Sequence, residues 1–385
     1  MSITAAKGFV AGGLASGIKE SGDPDLSLVA TDDRVSVSAA AVFTSNLAQA
    51  APVQISKAHL ADGHAAAVIL SSGNANAATG GQGRKDALRM CELTGAGIRV
   101  ATSEVLVCST GLIGIPMPMR ALESGIPKLC GTLTIEGSGD AAQAMLTTDT
   151  VRKEATSAAG NAIVGGMAKG AAMLSPAMAT MLAVLTTDAA VDPAGLQQSL
   201  ARAVSETFDC LSVDGCRSTN DTVIVLANGR AGAVDATALT DALTDVCGSL
   251  AEQMARDAEG ATKLVRIRVV GARTQGEARV AARAVANSQL VQCSLNGADA
   301  YWGRVLSELG ASGAFIDPEQ VDISYNGVTV CRDGIACAHD EAALATHMAG
   351  REIEILCDLR LAHGEAIVLT TDLSHAYIDE NRRTS

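Results

Sequence analysis

The chain has 385 residues and a formal net charge of −13, and 48% of its residues are hydrophobic although only 2% are aromatic. A chain of this length can bury a large core, as two domains or as one large α/β unit, and the core must be built from Ala, Val, Leu, Ile and Met. The negative charge disfavours nucleic acid and anionic membranes as partners, since both are themselves negatively charged.

Ten cysteines are scattered along the chain without a CxxC pair. This spacing argues against a zinc site and against a redox dithiol, and it predicts buried thiols in a reducing compartment. The N-terminal segment MSITAAKGFV lacks the layout of a signal peptide, and no apolar run approaches the ~20 residues that span a bilayer. We therefore expect a cytoplasmic protein without a bound metal.

Strand and helix patterns alternate from the first residues onward. The first part indicates turn-rich β structure, interrupted by a helical pattern from Arg84 to Gly95. Asp192 is a good N-cap residue and Pro193 suits the first helical position. Together they predict a helix that runs to about Phe208.

The second half continues with predicted strands TVIVLANG and KLVRIRVVGA and with helices at about Ala236–Ala258 and Gln275–Asn287. The last segment predicts a closing hairpin around Ala362–Gly364. Because hairpin-like pairs are common, we expect an α/β (α+β) fold of layered mixed β-sheets with helices packed outside, rather than a doubly wound parallel sheet.

Standard site motifs do not identify the chemistry. None of the six histidines forms an HExxH or HxH pattern, and no GxxxxGK[ST] loop is present. A Ser-His-Asp triad stays open, because its members are distant in sequence, but no motif proposes one.

The segment GGMAKGAAMLSPAMATMLAVLTTDAAV at 165–191 contains a candidate nucleophile, Thr180. The apolar run MLAVL after Thr180 predicts a buried strand, in which a threonine is usually structural. A threonine hydroxyl needs a base within hydrogen-bond reach to act as a nucleophile, and no His or carboxylate stands beside Thr180. Cleavage of the Ala179–Thr180 bond would supply a base, the free α-amino group of Thr180. Such a group has a pKa of about 7.7–8.0 and is therefore partly neutral near pH 7.

The chain resembles the ornithine acetyltransferase (glutamate N-acetyltransferase) family over nearly its whole length, through many motifs in the same order. The matching segments are GFVAGGLASGIK at 8–19, SGNANAATG at 72–80, STGLIG at 109–114, MLTTDT at 145–150, MAKGAAMLSPAMATML at 167–182, STNDT at 218–222, DAEGATK at 257–263, NSQLV at 287–291 and YWGR at 301–304. The resemblance implies a precursor that cuts itself into an α chain, residues 1–179, and a β chain, residues 180–385. The two chains are expected to stay associated in one intertwined unit, commonly as an α2β2 heterotetramer.

The resemblance also implies roles for individual residues. Thr180 would be the nucleophile that carries the acetyl group, with Thr110 and Gly111 as the oxyanion-hole pair. The implied substrate-binding residues are Thr147, Thr148, Lys169, Thr180, Glu259, Asn381 and Ser385. Which of the two threonines in the TTDT motif contacts the substrate stays open.

The implied reaction moves an acetyl group from N2-acetyl-L-ornithine to L-glutamate by a ping-pong route in the cyclic pathway of arginine biosynthesis, without a metal or redox cofactor. The sequence leaves open whether acetyl-CoA is a second acetyl donor, which would make the enzyme bifunctional, and whether the product serves primary or specialised metabolism. Three alternatives also stay open: an amidohydrolase that passes the acyl group to water, a relative with altered amino-acid specificity, and a degenerate relative that binds without turnover.

Four stretches depart from the family pattern. Asp214–Arg217 stands where the family usually has Asp-Gly-Asp-Thr, and YWGR follows Ala300 where an Asp-Pro-Asn-Trp pattern is common. The segment between TTDT and Lys169 is short, which predicts a trimmed hairpin. The spacing from Asn381 to Ser385 is one residue shorter than usual. These changes leave the proposed nucleophile and oxyanion pair intact, but they leave open which amino acid accepts the acetyl group.

Overall fold

The structure is a computed structural model that describes residues 2–174 and 181–382. The chain divides into two compact units, unit 1 within residues 1–209 and 216–254 and unit 2 within residues 210–215 and 255–384. Among the helices described, none is both long enough and apolar enough to cross a membrane.

Unit 1 contains two β-sheets and most of the helices in the first two thirds of the chain. Its elements are β1 (Phe9–Leu14), β2 (Leu26–Thr31), β3 (Val37–Phe43), α1 (Ala51–His59), β4 (His64–Ala65), β5 (Ala67–Asn74), α2 (Gly80–Ile98), β6 (Val105–Leu112), α3 (Met119–Cys130), α4 (Ser138–Ala144), β7 (Lys153–Ala159), β8 (Ala162–Lys169), β9 (Leu182–Ala190), α5 (Pro193–Glu206), β10 (Thr222–Ala233) and α6 (Ala236–Arg256), whose last residues lie in unit 2. Single 3-10 turns lie at Leu60–Asp62, Thr102–Glu104 and Phe208–Cys210.

Both sheets of unit 1 are mixed. One has the strand order β1-β2-β5-β6, and the other has the order β4-β3-β10-β9-β8-β7. β5 and β6 are parallel, as are β9 and β10, whereas the remaining neighbours are antiparallel. The mixed sheets confirm the predicted fold class.

Buried side chains from both sheets fill the space between them. Val68 and Leu106 of the first sheet belong to the same buried cluster as Val184 and Ile224 of the second. The outer face of the first sheet packs on α1, α2 and α3, and the second packs on α5 and on α6, whose side chains approach Gly166. Unit 1 is therefore a helix–sheet–sheet–helix sandwich, in which helices cover the outer apolar face of each sheet.

Local sequence signals predicted several elements closely. The Asp192 carboxylate accepts a hydrogen bond from the Gly195 N–H at 2.7 Å, and Pro193 begins α5, which ends at Glu206. The hairpin expected before Lys169 is also present: β7 and β8 pair directly, with Ala159 opposite Ala162.

Unit 2 is one mixed sheet covered by helices. Its elements are β11 (Leu264–Ala272), α7 (Gln275–Asn287), α8 (Gln289–Asn296), α9 (Trp302–Ala311), β12 (Asp322–Tyr325), β13 (Val328–Arg332), β14 (Ile335–Ala336), α10 (Glu341–Ala349), β15 (Glu352–Asp358), β16 (Gly364–Thr371) and α11 (His375–Asn381), and its strand order is β14-β13-β12-β15-β11-β16.

The predicted closing hairpin around Ala362–Gly364 is wrong. β15 and β16 do not pair with each other, because β11 lies between them, parallel to β15 and antiparallel to β16. The connection instead bonds to the end of β11, where the Leu359 N–H donates to the Val270 carbonyl at 2.9 Å. Alternating hydrophobicity predicts that both segments are strands, but it does not identify their neighbours.

Candidate active site

Thr180, the candidate nucleophile, and Ala179 lie outside the described residues, and so does Ser385. The described chain resumes at Met181, whose backbone N–H and carbonyl are both hydrogen-bonded. Its N–H donates to Asp221 Oδ1 at 2.9 Å, and its carbonyl accepts from the Thr222 N–H at 3.2 Å. β9 then enters the middle of the six-stranded sheet, between β8 and β10, as the predicted buried strand.

Lys169 is a buried strand residue rather than a solvated loop lysine. It is the last residue of β8 and pairs in register with Leu182 of β9. Its side chain is 3% exposed, and its Nζ donates to Thr147 Oγ1 at 2.7 Å. The structure thus brings Lys169 to Thr147, one of the two candidate threonines, whereas Thr148 is exposed.

Asp149 compensates the buried charge of Lys169. Its Oδ2 lies 3.6 Å from Lys169 Nζ, and its Oδ1 lies 2.7 Å from the equally buried Lys153 Nζ. The Gly170 N–H also donates to Oδ1. Burial raises the pKa of this carboxyl, but the two ammonium charges and the hydrogen bonds outweigh burial and hold the pKa of Asp149 well below its usual range.

Replacing Asp149 by Asn is expected to destabilise the protein by about 3–5 kcal/mol, because it leaves two buried ammonium groups without their counter-charge. A depressed carboxyl pKa stabilises the fold fully above the unfolded pKa of about 3.9, and this contribution disappears as the pH falls toward the folded pKa. The loss should therefore be constant from about pH 5 to neutrality and shrink below about pH 4. Urea unfolding of both proteins across this range measures it.

A matched control is the double variant Asp149→Asn, Lys153→Met, which removes one buried cation together with the anion. It should recover part of the lost stability, because a buried charge is costly chiefly when its partner is missing. Equal stability of Asp149→Asn and the unmodified protein at neutral pH would contradict the assigned ion pairs.

Thr110 and Gly111, the candidate oxyanion pair, lie inside the end of strand β6. In register with β5, Thr110 pairs with Ser72 and Gly111 with Gly73. Thr110 is buried, with 3% of its surface exposed. Gly111 has φ of +130°, and a Cβ built on it would lie 2.3 Å from the Gly73 carbonyl carbon. Only glycine fits at this close backbone approach.

Asn220 connects the end of β6 to the start of β10. Its Nδ2 donates to the Ser109 carbonyl at 2.8 Å and to the Ala75 carbonyl at 2.6 Å. Ser109 precedes Thr110, and Asn220 precedes Asp221, which binds Met181. A short series of contacts thus joins the candidate oxyanion pair to the residue after Thr180.

Glu259 and Asn381 come together in unit 2. Asn381, at the end of α11, donates from Nδ2 to Glu259 Oε2 at 2.8 Å and to the Tyr377 carbonyl at 2.9 Å. Glu259 lies in the turn between α6 and β11. The unusual C-terminal spacing therefore does not prevent Asn381 from reaching Glu259.

A sequence model of the ArgJ family matches residues 10–384. The chain belongs to the ArgJ family. The predicted family is thereby confirmed.

Curated ArgJ relatives match over almost the full length. The arginine biosynthesis bifunctional protein of Mycolicibacterium paratuberculosis is 47% identical, covering 98% of this chain and 95% of the relative. The protein of the same name from Streptomyces coelicolor is 44% identical, covering 99% of each. A solved structure of ornithine acetyltransferase from Mycobacterium tuberculosis, complexed with ornithine, is 38% identical over 46% of this chain and 94% of that chain, with a TM-score of 0.42.

Sequence reasoning on this ArgJ chain missed the buried partners of the site, Asp149, Asn220 and Asp221. Each stands in a motif that carried the resemblance, TTDT or STNDT, but the motifs do not say which residues touch. It also missed Lys19, whose Nζ donates to the Leu146 carbonyl at 2.7 Å, next to Thr147. Burial lowers the pKa of Lys19, although the negative charges of nearby carboxylates act in the opposite direction.

Within the described residues, no group of His, Cys, Asp and Glu is arranged to hold a metal ion. The polar side chains around this site are instead those of Lys153 and Lys169, Thr110 and Thr147, Asn220, and the two aspartates Asp149 and Asp221. Such groups can bind a carboxylate or an ammonium and can stabilise a developing oxyanion.

Proposed function

We propose that the chain cuts itself between Ala179 and Thr180 and that Thr180 then carries an acetyl group from N2-acetyl-L-ornithine to L-glutamate. Family membership and the relatives' shared name confirm the predicted enzyme class, an acetyltransferase of arginine biosynthesis. The residue roles are our proposal.

These roles rest on one observation: residues from separate motifs contact Met181 and Leu182, the two residues that follow Thr180. Asp221 binds the Met181 N–H, and Lys169 pairs with Leu182. Asn220, the residue before Asp221, donates to the Ser109 carbonyl, and Ser109 directly precedes the candidate oxyanion pair. A nucleophile at position 180 would therefore have an oxyanion site and a substrate-binding lysine nearby.

Self-cleavage would provide the base that Thr180 lacks. Attack of Thr180 Oγ on the Ala179 carbonyl forms an ester and frees the α-amino group of Thr180, and water then hydrolyses the ester. The free amine can accept the proton of its own hydroxyl in later turnovers. The pieces would remain associated, because β8 precedes the cut and β9 follows it, and the two strands pair over their length.

Acetyl transfer then proceeds in two balanced steps. Thr180 Oγ attacks the donor's acetyl carbonyl while its proton moves to the α-amine, the C–N bond breaks, and ornithine leaves with that proton. The amine of glutamate next attacks the acetyl ester, and the hydroxyl of Thr180 is restored. Thr110 and Gly111 would stabilise the oxyanion in each step.

Substrate recognition uses a basic and an acidic set of side chains. Lys169 with Thr147 would bind the α-carboxylate that donor and acceptor share. Glu259, held by Asn381, would bind substrate ammonium groups, and we assign the last substrate contact to Ser385. Because donor and acceptor have the same amino-acid end, they can bind in turn, which gives ping-pong kinetics.

We further propose that acetyl-CoA can load Thr180, since the relatives are named bifunctional, and that the enzyme works as an α2β2 assembly in the cytoplasm. The assembly rests on the family resemblance. The location rests on the ten free cysteines, five of them buried, which suit a reducing compartment.

Brief exposure to N-acetylornithine is expected to add the mass of one acetyl group to the fragment that begins at Thr180, because the ester accumulates when no acceptor is present. Intact-mass spectrometry of the denatured protein measures it, with acetyl-CoA as a second donor in a parallel sample. Glutamate should remove the adduct and yield N-acetylglutamate. Release of free acetate at the same rate with and without glutamate would instead show a hydrolase, and binding without an adduct would show a non-catalytic relative.

A further inference from the structure

Lys19 lies at the candidate site, but none of the roles assigned so far uses it. It lies in the loop after β1, and its Nζ donates to the carbonyls of Pro24 and Leu146, both at 2.7 Å. Leu146 directly precedes Thr147, whose hydroxyl accepts from Lys169 Nζ. Lys19 and Lys169 therefore bind the same short segment of the chain from two different parts of unit 1.

The aliphatic part of the Lys19 side chain lies against the strands that carry the candidate oxyanion pair. A Cβ built on Gly73 of β5 would lie 3.2 Å from Lys19 Cγ. Gly73 is also the residue that pairs with Gly111 of β6 at close backbone approach. The Lys19 side chain thus extends from the end of β5, beside the oxyanion pair, to the residue before Thr147.

Asp25 fixes the loop that carries Lys19. Its carboxylate is buried, and the two oxygens accept from four consecutive backbone N–H groups, those of residues 16–19, at 2.7–3.2 Å. The Asp25 carbonyl accepts from the Ser72 N–H at 2.8 Å, which joins the loop to β5. The backbone of Lys19 is therefore fixed before a substrate binds, and such preorganisation lowers the entropic cost of binding.

The positive charges around Thr147 are only partly balanced by ion pairs. Asp149 lies between Lys169 and Lys153 and is shared by both. Lys19 Nζ, within the described residues, binds two neutral carbonyls and no carboxylate. Burial lowers the pKa of Lys19 and the charge of Lys169 adds to this effect, whereas nearby carboxylates oppose it. A carboxylate bound beside Thr147 would attract both lysines and would relieve the repulsion between them.

We propose that Lys19 is a second lysine of the α-carboxylate site. Its bond to the Leu146 carbonyl positions Thr147 beside Lys169. An ammonium group has three N–H donors, and the one that the two carbonyls do not use donates to the substrate carboxylate. This inference rests on the proposed function, which assigns that carboxylate to Lys169 and Thr147. It makes Lys19 a specificity residue, because a ligand without the carboxylate would leave the two ammonium charges without an anion.

The test is Lys19→Met in the full-length enzyme, because methionine keeps an unbranched side chain beside Gly73 but has neither a charge nor an N–H donor. KM for N-acetylornithine and KM for glutamate should each rise roughly 10- to 100-fold, the usual effect of one hydrogen bond to a charged group. kcat should change by less than about 3-fold, since the α-carboxylate does not react and is bound equally in the ground state and the transition state. Steady-state kinetics with each substrate varied in turn measure both constants.

Competitive inhibition separates carboxylate recognition from a structural effect. Putrescine is ornithine without its carboxylate. Lys19→Met should raise the inhibition constant of ornithine by the same factor as KM and should leave that of putrescine unchanged. Lys128→Met is the matched control, because Lys128 is exposed on α3 of the same unit. This variant removes one positive charge outside the site and should keep both KM values.

The outcomes distinguish this inference from the proposed function. If the unmodified enzyme forms the acetyl adduct but Lys19→Met keeps both KM values, the inference is wrong and the proposed function stands. A rise in KM for glutamate alone also overturns it, because Lys19 would then bind the side-chain carboxylate. An equal rise in the inhibition constants of ornithine and putrescine, or a fall in kcat at constant KM, would show a purely structural role. An unmodified protein that forms no adduct overturns the proposed function and this inference with it.

Lys19→Gln replaces the methionine variant if the latter does not fold. Its amide carries no charge but can still donate to the Leu146 carbonyl, so the loop keeps a contact to this segment. Both KM values should again rise, and Lys19→Arg, which keeps the charge, should raise them much less. Equal KM values for the Gln and Arg variants would overturn the assigned role of the charge.

Discussion

Replacing Thr180 by Ala is expected to leave the purified protein as a single 385-residue chain and to reduce acetyl transfer by roughly 10⁴- to 10⁶-fold. The variant lacks the hydroxyl that attacks the Ala179 carbonyl, so neither the cut nor the acetyl ester can form. A denaturing gel and mass spectrometry should show one species, whereas the unmodified protein gives fragments of residues 1–179 and 180–385.

Two further variants make this result specific to the hydroxyl at position 180. Thr180→Ser retains a hydroxyl and should again be cut. Thr187→Ala removes a buried threonine from β9, whose Oγ1 accepts from the Ala189 N–H, and should be cut and active. A Thr180→Ala protein that transfers acetyl groups at the normal rate would contradict the mechanism, as would an unmodified chain that remains whole.

The parts of this fold that the sequence predicted are those decided by short-range interactions. The cap at Asp192 and the proline after it act within one helical turn, and so α5 begins where the sequence indicates. The strand after Thr180 is predicted because the apolar run MLAVL is continuous, which is typical of strands covered on both faces. β9 is accordingly buried from Leu182 to Ala189, and only its last residue, Ala190, is exposed.

The contacts that build the candidate site depend on residues far apart in the chain, and no local pattern reveals them. The sequence presents Lys169 as a lone cation among glycines, whereas in the fold it shares Asp149 with Lys153. A buried lysine requires such a partner, but the requirement does not say which of many carboxylates supplies it.

Strand neighbours are undetermined by sequence for the same reason. β11 separates β15 from β16 although those two are consecutive strands along the chain. Likewise, the motif STNDT marks its residues as a group, but only the fold shows that Asn220 bonds to the β6 end and Asp221 to Met181. The site is assembled by pairing and register, which are non-local properties of the sheet.

Replacing Thr110 by Ala is expected to lower kcat roughly 10²- to 10³-fold, the usual effect of removing one oxyanion-hole donor. The change should leave KM nearly unchanged, because the lost interaction is made chiefly in the transition state. Thr110→Ser keeps the hydroxyl and should retain most of the activity. Steady-state kinetics with N-acetylornithine and glutamate measure both variants, and a Thr110→Ala enzyme with normal kcat would contradict the assigned role.

Gly111→Ala should lose activity for a different reason, since its Cβ would collide with backbone. The added carbon would lie 2.3 Å from the Gly73 carbonyl carbon and 2.5 Å from the Asn74 nitrogen, so β5 and β6 must separate. Gly114 is the matched control, because it also has positive φ, +86°, but no atom lies within 4 Å of its Cβ position. Gly114→Ala should therefore lower the free energy of unfolding only by the backbone strain of about 1–2 kcal/mol and should keep the activity. Gly111→Ala should lower the free energy of unfolding by more and should also disrupt the oxyanion site. Equal unfolding free energies for the two variants would show that the β5–β6 contact does not hold the amide of Gly111 in place.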